Sequence, residues 1–203
     1  LLFVMVVYKC VVVTIPGFED IAIAEVEELI GVKATAAASA VVAFQVSDLA
    51  DLCRLCYLSQ SASSVLFLLS QFAVAKTAAA SAANLKKSLR SADFRTWFPK
   101  EATFKVDFQP SADASHDFPS SEIEAEAGAV IIGCVRSSTG FIPKVDLESP
   151  AVTIAVCASG ASGFCGIAIS PFDLSKREYR IFSHSSDIKG NLAYLLLRAA
   201  GYG

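Results

Sequence analysis

The order of the first apolar runs constrains this chain more than any other feature. Lys9–Ile15 is apolar and rich in β-branched residues, the signature of a buried strand. Pro16-Gly17 breaks it. Phe18–Ile30 then places Ile21, Ala24, Val26 and Leu29 at helical spacing, with Glu19 and Asp20 in the first turn and Gly31 as a stop. Thr35–Ala40 and Val41–Val46 read as two short strands, Ser47 as the cap of a helix over Asp48–Tyr57, and Val65–Phe72 as a further strand. The resulting order, β-α-β-β-α-β over about residues 9–75, is the split βαβ or ferredoxin-like pattern, so the expected fold class is α+β.

The remainder of the chain repeats the alternation without repeating the sequence. Thr77–Ser91 is alanine-rich and ends in Leu85-Lys86-Lys87-Ser88-Leu89-Arg90, a helix with a basic last turn. Thr103–Phe108 sets Phe104, Val106 and Phe108 against Lys105 and Asp107, as a half-buried strand does. Gln109–Pro119 is a polar loop, after which Ser120 or Ser121 caps a helix over Glu122–Val135 that Ser137–Gly140 ends. Val152–Cys157 and Cys165–Ile169 are expected strands joined by the Ser/Gly/Ala loop 158–163, and Asp187–Ala200 a terminal helix interrupted early by Gly190. A division near residues 73–79 is expected to be tight, because no Pro/Gly/Ser linker lies there.

Composition removes several function classes. Hydrophobic residues make up 54% of the chain and charged residues 18%, which excludes a disordered chain. No apolar run approaches the roughly 20 residues of a spanning helix. Leu1–Tyr8 lacks the basic flank and cleavage site of a signal peptide. The expectation is a cytoplasmic protein with no membrane partner. Cys10, Cys53, Cys56, Cys134, Cys157 and Cys165 lie mostly in apolar runs, where a reduced thiol acts as a small hydrophobe. Cys53 and Cys56 form a C-x-x-C with no second pair and no nearby histidine, so they are expected to pack in the core rather than bind metal.

The catalytic inventory is thin. The two histidines are His116, in the polar loop, and His184. Ser162 sits in G-A-S-G, which is not a nucleophile elbow, and the chain has neither a P-loop nor a dinucleotide-binding glycine pattern. Glu122, Glu124 and Glu126 are spaced i, i+2 and do not share one helix face; they read as a solvated helix start. No catalytic, cofactor-binding or metal-binding residue is assigned.

Charge is distributed unevenly. The formal net charge is −3, yet residues 76–100 hold Lys76, Lys86, Lys87, Arg90, Arg95 and Lys100 against Asp93 alone. Residues 176–203 hold Lys176, Arg177, Arg180, Lys189 and Arg198 against Glu178 and Asp187. Two such islands in an acidic chain can form a local site for a polyanion; on charge alone, two solvated helix faces explain them at least as well. Beside the first island, Trp97 and Phe98 are expected to pack rather than stack on bases.

Several segments, taken in order, resemble one family. Ile15-Pro16-Gly17-Phe18-Glu19-Asp20 followed by Glu25–Gly31 is similar to the opening of the THUMP-containing RNA methyltransferases. Ala62-Ser63-Ser64-Val65-Leu66 is similar to their segment leading into a T-A-S-R-V-L-type strand, with Ser64 where the family has arginine. Lys144-Val145-Asp146-Leu147-Glu148-Ser149-Pro150, two strands, and then Leu174-Ser175-Lys176-Arg177-Glu178-Tyr179-Arg180 resemble the P-x-V-D-L-x-x-P … L-x-K-R-x-Y-R signature. There Glu178 replaces the family's glycine. Ile188-Lys189-Gly190-Asn191-Leu192-Ala193 looks like the helix that precedes the catalytic domain.

The resemblance implies an N-terminal ferredoxin-like domain (1–75), a THUMP RNA-binding domain (76–186) and a helix leading to a methyltransferase domain (187–203). It implies a function in tRNA processing: RNA binding, at the acceptor end of tRNA, for a methyltransferase that transfers a methyl group from S-adenosylmethionine to the exocyclic amine of a guanine. The family's cofactor loop and N-P-P-[YF] motif do not occur in these 203 residues, so the cofactor and the chemistry are expected in a separate catalytic domain, in cis or in trans, with this portion inactive alone. The implied RNA contacts are Lys86, Lys87, Arg90, Arg95, Lys100, Lys176, Arg177 and Arg180. Thiouridine synthases and RNA deaminases share such RNA-binding units. The alternative of another class is a ferredoxin-like interaction or regulatory module that binds no nucleic acid, which the net acidity favours.

Overall fold

The computed structural model describes residues 7–170, 172–176 and 187–202. The chain divides into two compact units, Leu1–Phe67 with Ile169–Gly203, and Leu68–Ala168. The fold class is α+β, as the element order predicts.

The first unit contains β1 (Tyr8–Val13), α1 (Glu19–Ile30), β2 (Ala34–Ala38), β3 (Val41–Val46), α2 (Ala50–Leu58), the start of β4 (Ser64–Ala73) and α5 (Gly190–Ala199). Its strands lie in the order β2-β3-β1-β4. β1 runs antiparallel to both β3 and β4, with Val12 opposite Val42 and Val65, and β2 is antiparallel to β3. This is the split βαβ arrangement, with β3 inserted between β1 and β2. Val12, Val42, Phe44 and Val65 meet Ala22 and Val26 of α1 and Leu52 and Leu55 of α2 in one core.

Two carboxylates fix the connections. Glu19, in the first turn of α1, accepts from the backbone N–H of Gly17 at 3.1 Å and of Ala40 at 2.6 Å, tying the Pro16-Gly17 break to the β2–β3 hairpin. Glu25 is 4% exposed and accepts from Ser59 Oγ at 2.6 Å, Gln60 N at 2.7 Å, Ser61 N at 3.0 Å and Ser61 Oγ. Ser63 Oγ, just beyond, accepts from Asn191 Nδ2 at 3.0 Å, and Asn191 is 1% exposed. The P-G-F-E-D opening, the A-S-S-V-L run and the N-terminal turn of α5 are therefore mutually supporting parts of one unit.

Two expectations are corrected here. Cys53 is exposed, because the buried face of α2 carries Leu52 and Leu55; only Cys56 packs against the core. Ser47 does not cap α2, which starts at Ala50 with Asp48 Oδ1 accepting from Ala50 N at 2.9 Å.

The second unit contains the rest of β4, α3 (Ala78–Ser88) continued by a 3₁₀ turn (Leu89–Ser91), β5 (Thr103–Pro110), α4 (Ser120–Thr139), β6 (Lys144–Val145), β7 (Val152–Ser159) and β8 (Ser162–Ala168). Its strand order is β4-β8-β7-β5-β6, with β5 parallel to β6 and β7, and β7 antiparallel to β8. Thr77 caps α3 by accepting from Ala80 N at 3.3 Å. Ile123, Ala127, Gly128, Ile131 and Val135 form the buried face of α4.

α4 outlasts its expected end at Val135. It runs to Thr139 and ends at Gly140, whose left-handed conformation caps it, while Ser137, Ser138 and Thr139 donate their hydroxyls to the carbonyls of Gly133, Cys134 and Val135. The expected loop 158–163 is a two-residue hairpin instead, with Ser159 opposite Ser162 and Gly160 at φ 53°. A positive φ at the first turn position is what a II′ connection asks of glycine. Its neighbour Gly163 lies under the Phe72 ring, where a Cβ would come within 2.5 Å of Cζ.

Gly163→Ala should displace Phe72 and cost about 1–3 kcal/mol, read as a lowered thermal midpoint; an unchanged midpoint would refute the close approach. Glu25→Ala should cost about 3 kcal/mol, because two buried hydroxyls and two N–H groups lose their acceptor, and urea unfolding measures it.

Candidate nucleic-acid interface

The basic end of α3 is held from below. Leu85 and Leu89 are buried at 0% and 2% exposure, which turns Lys86, Lys87 and Arg90 outward. Phe94 and Phe98 follow as buried rings packed edge-on at 5.9 Å, and Phe98 meets Phe104 of β5 at 6.0 Å. Phe98 thus packs as expected, and Trp97 is half-buried.

Between this segment and α4 runs an open groove of about 680 Å³. Lys86, Leu89, Arg90, Ala92 and Phe94 line one side. The other side is one face of α4: Glu126, Ala129, Val130, Gly133, Cys134, Ser137 and Ser138. No side chain on that wall beyond Glu126 is long or charged, so the groove carries two cations on one side and a single carboxylate on the other. Arg95 donates from Nε to the carbonyl of Ser138 at 2.7 Å, spanning to the last turn of α4, where unsatisfied carbonyls favour a cation.

Charge acts across the groove. Burial pushes the Cys134 thiol up, and the Lys86 ammonium draws it part of the way back. Among the described residues, Lys86, Lys87 and Arg90 take part in no ion pair, so their charges remain available to an anion.

The groove brings together Lys86 and Arg90, with Arg95 at its end. Lys87 and Lys100 are exposed but do not line it. Lys176 is exposed in the other unit, and Arg177 and Arg180 lie outside the described residues. The α4 face escaped the sequence reading. Its signal was the recurrence of small residues at 129, 133 and 137 in line with Glu126, a helical period hidden inside an apolar run. Glu124, two residues earlier, points elsewhere and accepts from Phe108 N at 3.1 Å.

His116 packs between aromatic rings. Its ring stacks on Phe118 at 4.6 Å and meets Phe108 edge-on at 5.3 Å, with Nδ1 3.0 Å from the Phe118 carbonyl. His184 lies outside the described residues. Among the described residues no three His, Cys, Asp or Glu side chains form a group able to hold a metal ion, and no helix is long and apolar enough to cross a membrane.

With this geometry in place, comparison with known proteins adds three findings. A family model described as the THUMP domain matches residues 79–158, all within the second unit, so the chain contains a THUMP domain that includes both walls of the groove. No curated protein matches the sequence. Solved structures do. A Listeria monocytogenes protein described as a predicted N6-adenine-specific DNA methylase is 21% identical with a TM-score of 0.72, covering 96% of this chain and 48% of that one. TrmN from Thermus thermophilus is 22% identical with a TM-score of 0.60, covering 95% and 54%. SMU.472, crystallised with SAH, is 18% identical with a TM-score of 0.69, covering 95% and 48%. The chain thus spans about half the length of these structures and shares their fold over that half.

Lys86→Gln should raise the Cys134 thiol further and slow its alkylation by iodoacetamide at pH 8 roughly two- to fivefold. Peptide mass spectrometry reads the rate, and an unchanged rate would mean that Lys86 does not face α4.

Proposed function

We propose that this chain is the RNA-binding portion of an S-adenosylmethionine-dependent RNA methyltransferase, and that it grips tRNA near the acceptor stem while a separate catalytic domain methylates the exocyclic amine of a guanine. The observation that carries the reading is the groove in which Lys86 and Arg90, in no ion pair among the described residues, stand opposite a helix face whose one charged side chain is Glu126, inside the THUMP match. Cations on one wall suit a phosphate backbone, and low side chains on the other leave it room. The methyl donor is supported by the likeness to a structure crystallised with SAH, the product left when S-adenosylmethionine gives up its methyl group.

In this reading residues 1–75 are the ferredoxin-like domain, 76–186 the THUMP domain and 187–203 the connection to the catalytic domain, in cis or in trans. The cofactor binds that domain. Lys86, Lys87, Arg90, Arg95, Lys100, Lys176, Arg177 and Arg180 contact RNA, by shape and phosphate rather than by sequence. Target delivery then requires the guanine to leave its stack. A second reading, a protein-interaction module, has one observation in its favour: Ile142, Val145 and Leu147 are exposed at 60%, 56% and 72% beside the edge strand β6.

Binding of the chain to unmodified tRNA transcript across a salt series separates the two. Phosphate binding should weaken steeply with salt, and Lys86→Gln with Arg90→Gln should weaken it for all RNA sequences alike and flatten the salt slope by about one per lost contact. An absence of binding at low salt, or loss for one RNA sequence only, would refute the reading. A partner bound through the apolar surface would instead survive moderate salt.

A further inference from the structure

The carboxylate of Glu126 stands in the groove without a cation. It lines the same cavity as Lys86 and Arg90, yet among the described residues it forms no ion pair with either. Two unpaired cations and one unpaired carboxylate on opposite walls of one groove are complementary to a ligand that carries an anion and a hydrogen-bond donor together.

Position along α4 sorts these groups. Cys134 lies under the influence of Lys86, and Arg95 is bonded to Ser138, so these two cations lie toward the C-terminal end of α4, with Arg90 between them in sequence and in the same groove. Glu126 is eight residues before Cys134, about 12 Å at 1.5 Å per residue, and its side chain tilts further toward the helix start. Opposite charges at the two ends would attract a phosphate to one and repel it from the other. The distance between the ends is of the order of one nucleotide, from phosphate to base edge. Between them Ala129 and Gly133 offer no more than a methyl group, and Val130 a small apolar surface, against which a ribose and base can lie.

We propose that Glu126 is a specificity-determining residue of the groove: it accepts a hydrogen bond from the amino group of an unpaired base whose phosphates are held by Lys86 and Arg90. The groove then prefers a base that presents an exocyclic amine over one that presents a carbonyl at the same place. Cytosine and uracil differ in this way, N4–H₂ donating where O4 accepts, and a carboxylate accepts from the first and repels the second. This rests on the RNA-binding reading above and adds base preference to a site otherwise blind to sequence.

The test uses the 203-residue chain and fluorescein-labelled oligoribonucleotides rC10 and rU10, followed by fluorescence anisotropy at pH 7.5 and fixed salt. The wild type should bind rC10 about tenfold more tightly than rU10. Glu126→Gln presents an amide that can accept from N4 or donate to O4, so the preference should fall to within about twofold. Glu126→Ala should lose the preference as well, and a thermal melt confirms that these exposed-site variants fold. Equal wild-type binding of the two oligomers, with normal salt dependence, would overturn the assignment while leaving RNA binding intact. A variant that tightens both oligomers and keeps the wild-type preference would overturn it too, since Glu126 would then act only through its charge. Wild-type binding to neither oligomer nor tRNA transcript would instead refute the underlying RNA-binding reading.

Discussion

The first unit depends on a buried carboxylate that has acquired donors instead of a cation. Taking Glu25 out of water without compensation would cost many kcal/mol. Ser59, Gln60 and Ser61 supply two hydroxyls and two backbone N–H groups to its two oxygens, so the charge is solvated by the turn that follows α2. The exchange works in both directions. The Gln60 and Ser61 N–H groups of the turn find an acceptor in Glu25. Directly after it, Ser63 accepts from Asn191 and β4 begins. Tyr194 of α5 stands close enough that burial, and then the Glu25 charge, pushes its hydroxyl up to about 12. One side chain of α1 thus sets the entry to β4 and the seat of α5.

The second unit solves a different problem, that of presenting charge without collapsing onto it. Lys86 and Arg90 are exposed and form no ion pair among the described residues. The α4 face offers alanine, valine, glycine, cysteine and serine, and its single acid forms no ion pair with either cation among the described residues. The serines of α4 past Val135 spend their hydroxyls on its own carbonyls, so the last turn contributes backbone oxygens to Arg95 rather than competing donors. A wall of small residues costs core packing; it pairs with Leu85, Leu89 and Phe94 on the other side, whose burial anchors the basic segment.

How much of this the sequence exposed can be seen element by element. β3 was legible to the residue at Val41–Val46, and the opening β-α-β-β-α-β order fixed the first sheet, because β-branched runs and a 3.6-residue period are local signals. The loop expected at 158–163 failed as a reading because Ser, Gly and Ala carry weak strand propensity; pairing of β7 with β8, with Phe72 laid over Gly163, overrides it. Cys53 faces solvent because a C-x-x-C pair on a helix cannot place both thiols on the stripe already taken by Leu52 and Leu55.

The sequence by itself determined the class of fold, the order of elements and the existence of a basic segment ending in Arg90, since each follows from periodicity, breakers and charge along the chain. The tertiary structure alone decided what the basic segment faces. Lys86, Lys87, Arg90, Arg95 and Lys100 are equivalent in the sequence. Only the packing of α3 beside α4 separates Lys86 and Arg90, in the groove, from Lys87 and Lys100, outside it. The same packing turned Glu126 from one of three acids at a helix start into the one carboxylate of that groove, because neighbours about 40 residues apart in sequence meet only when the two helices do.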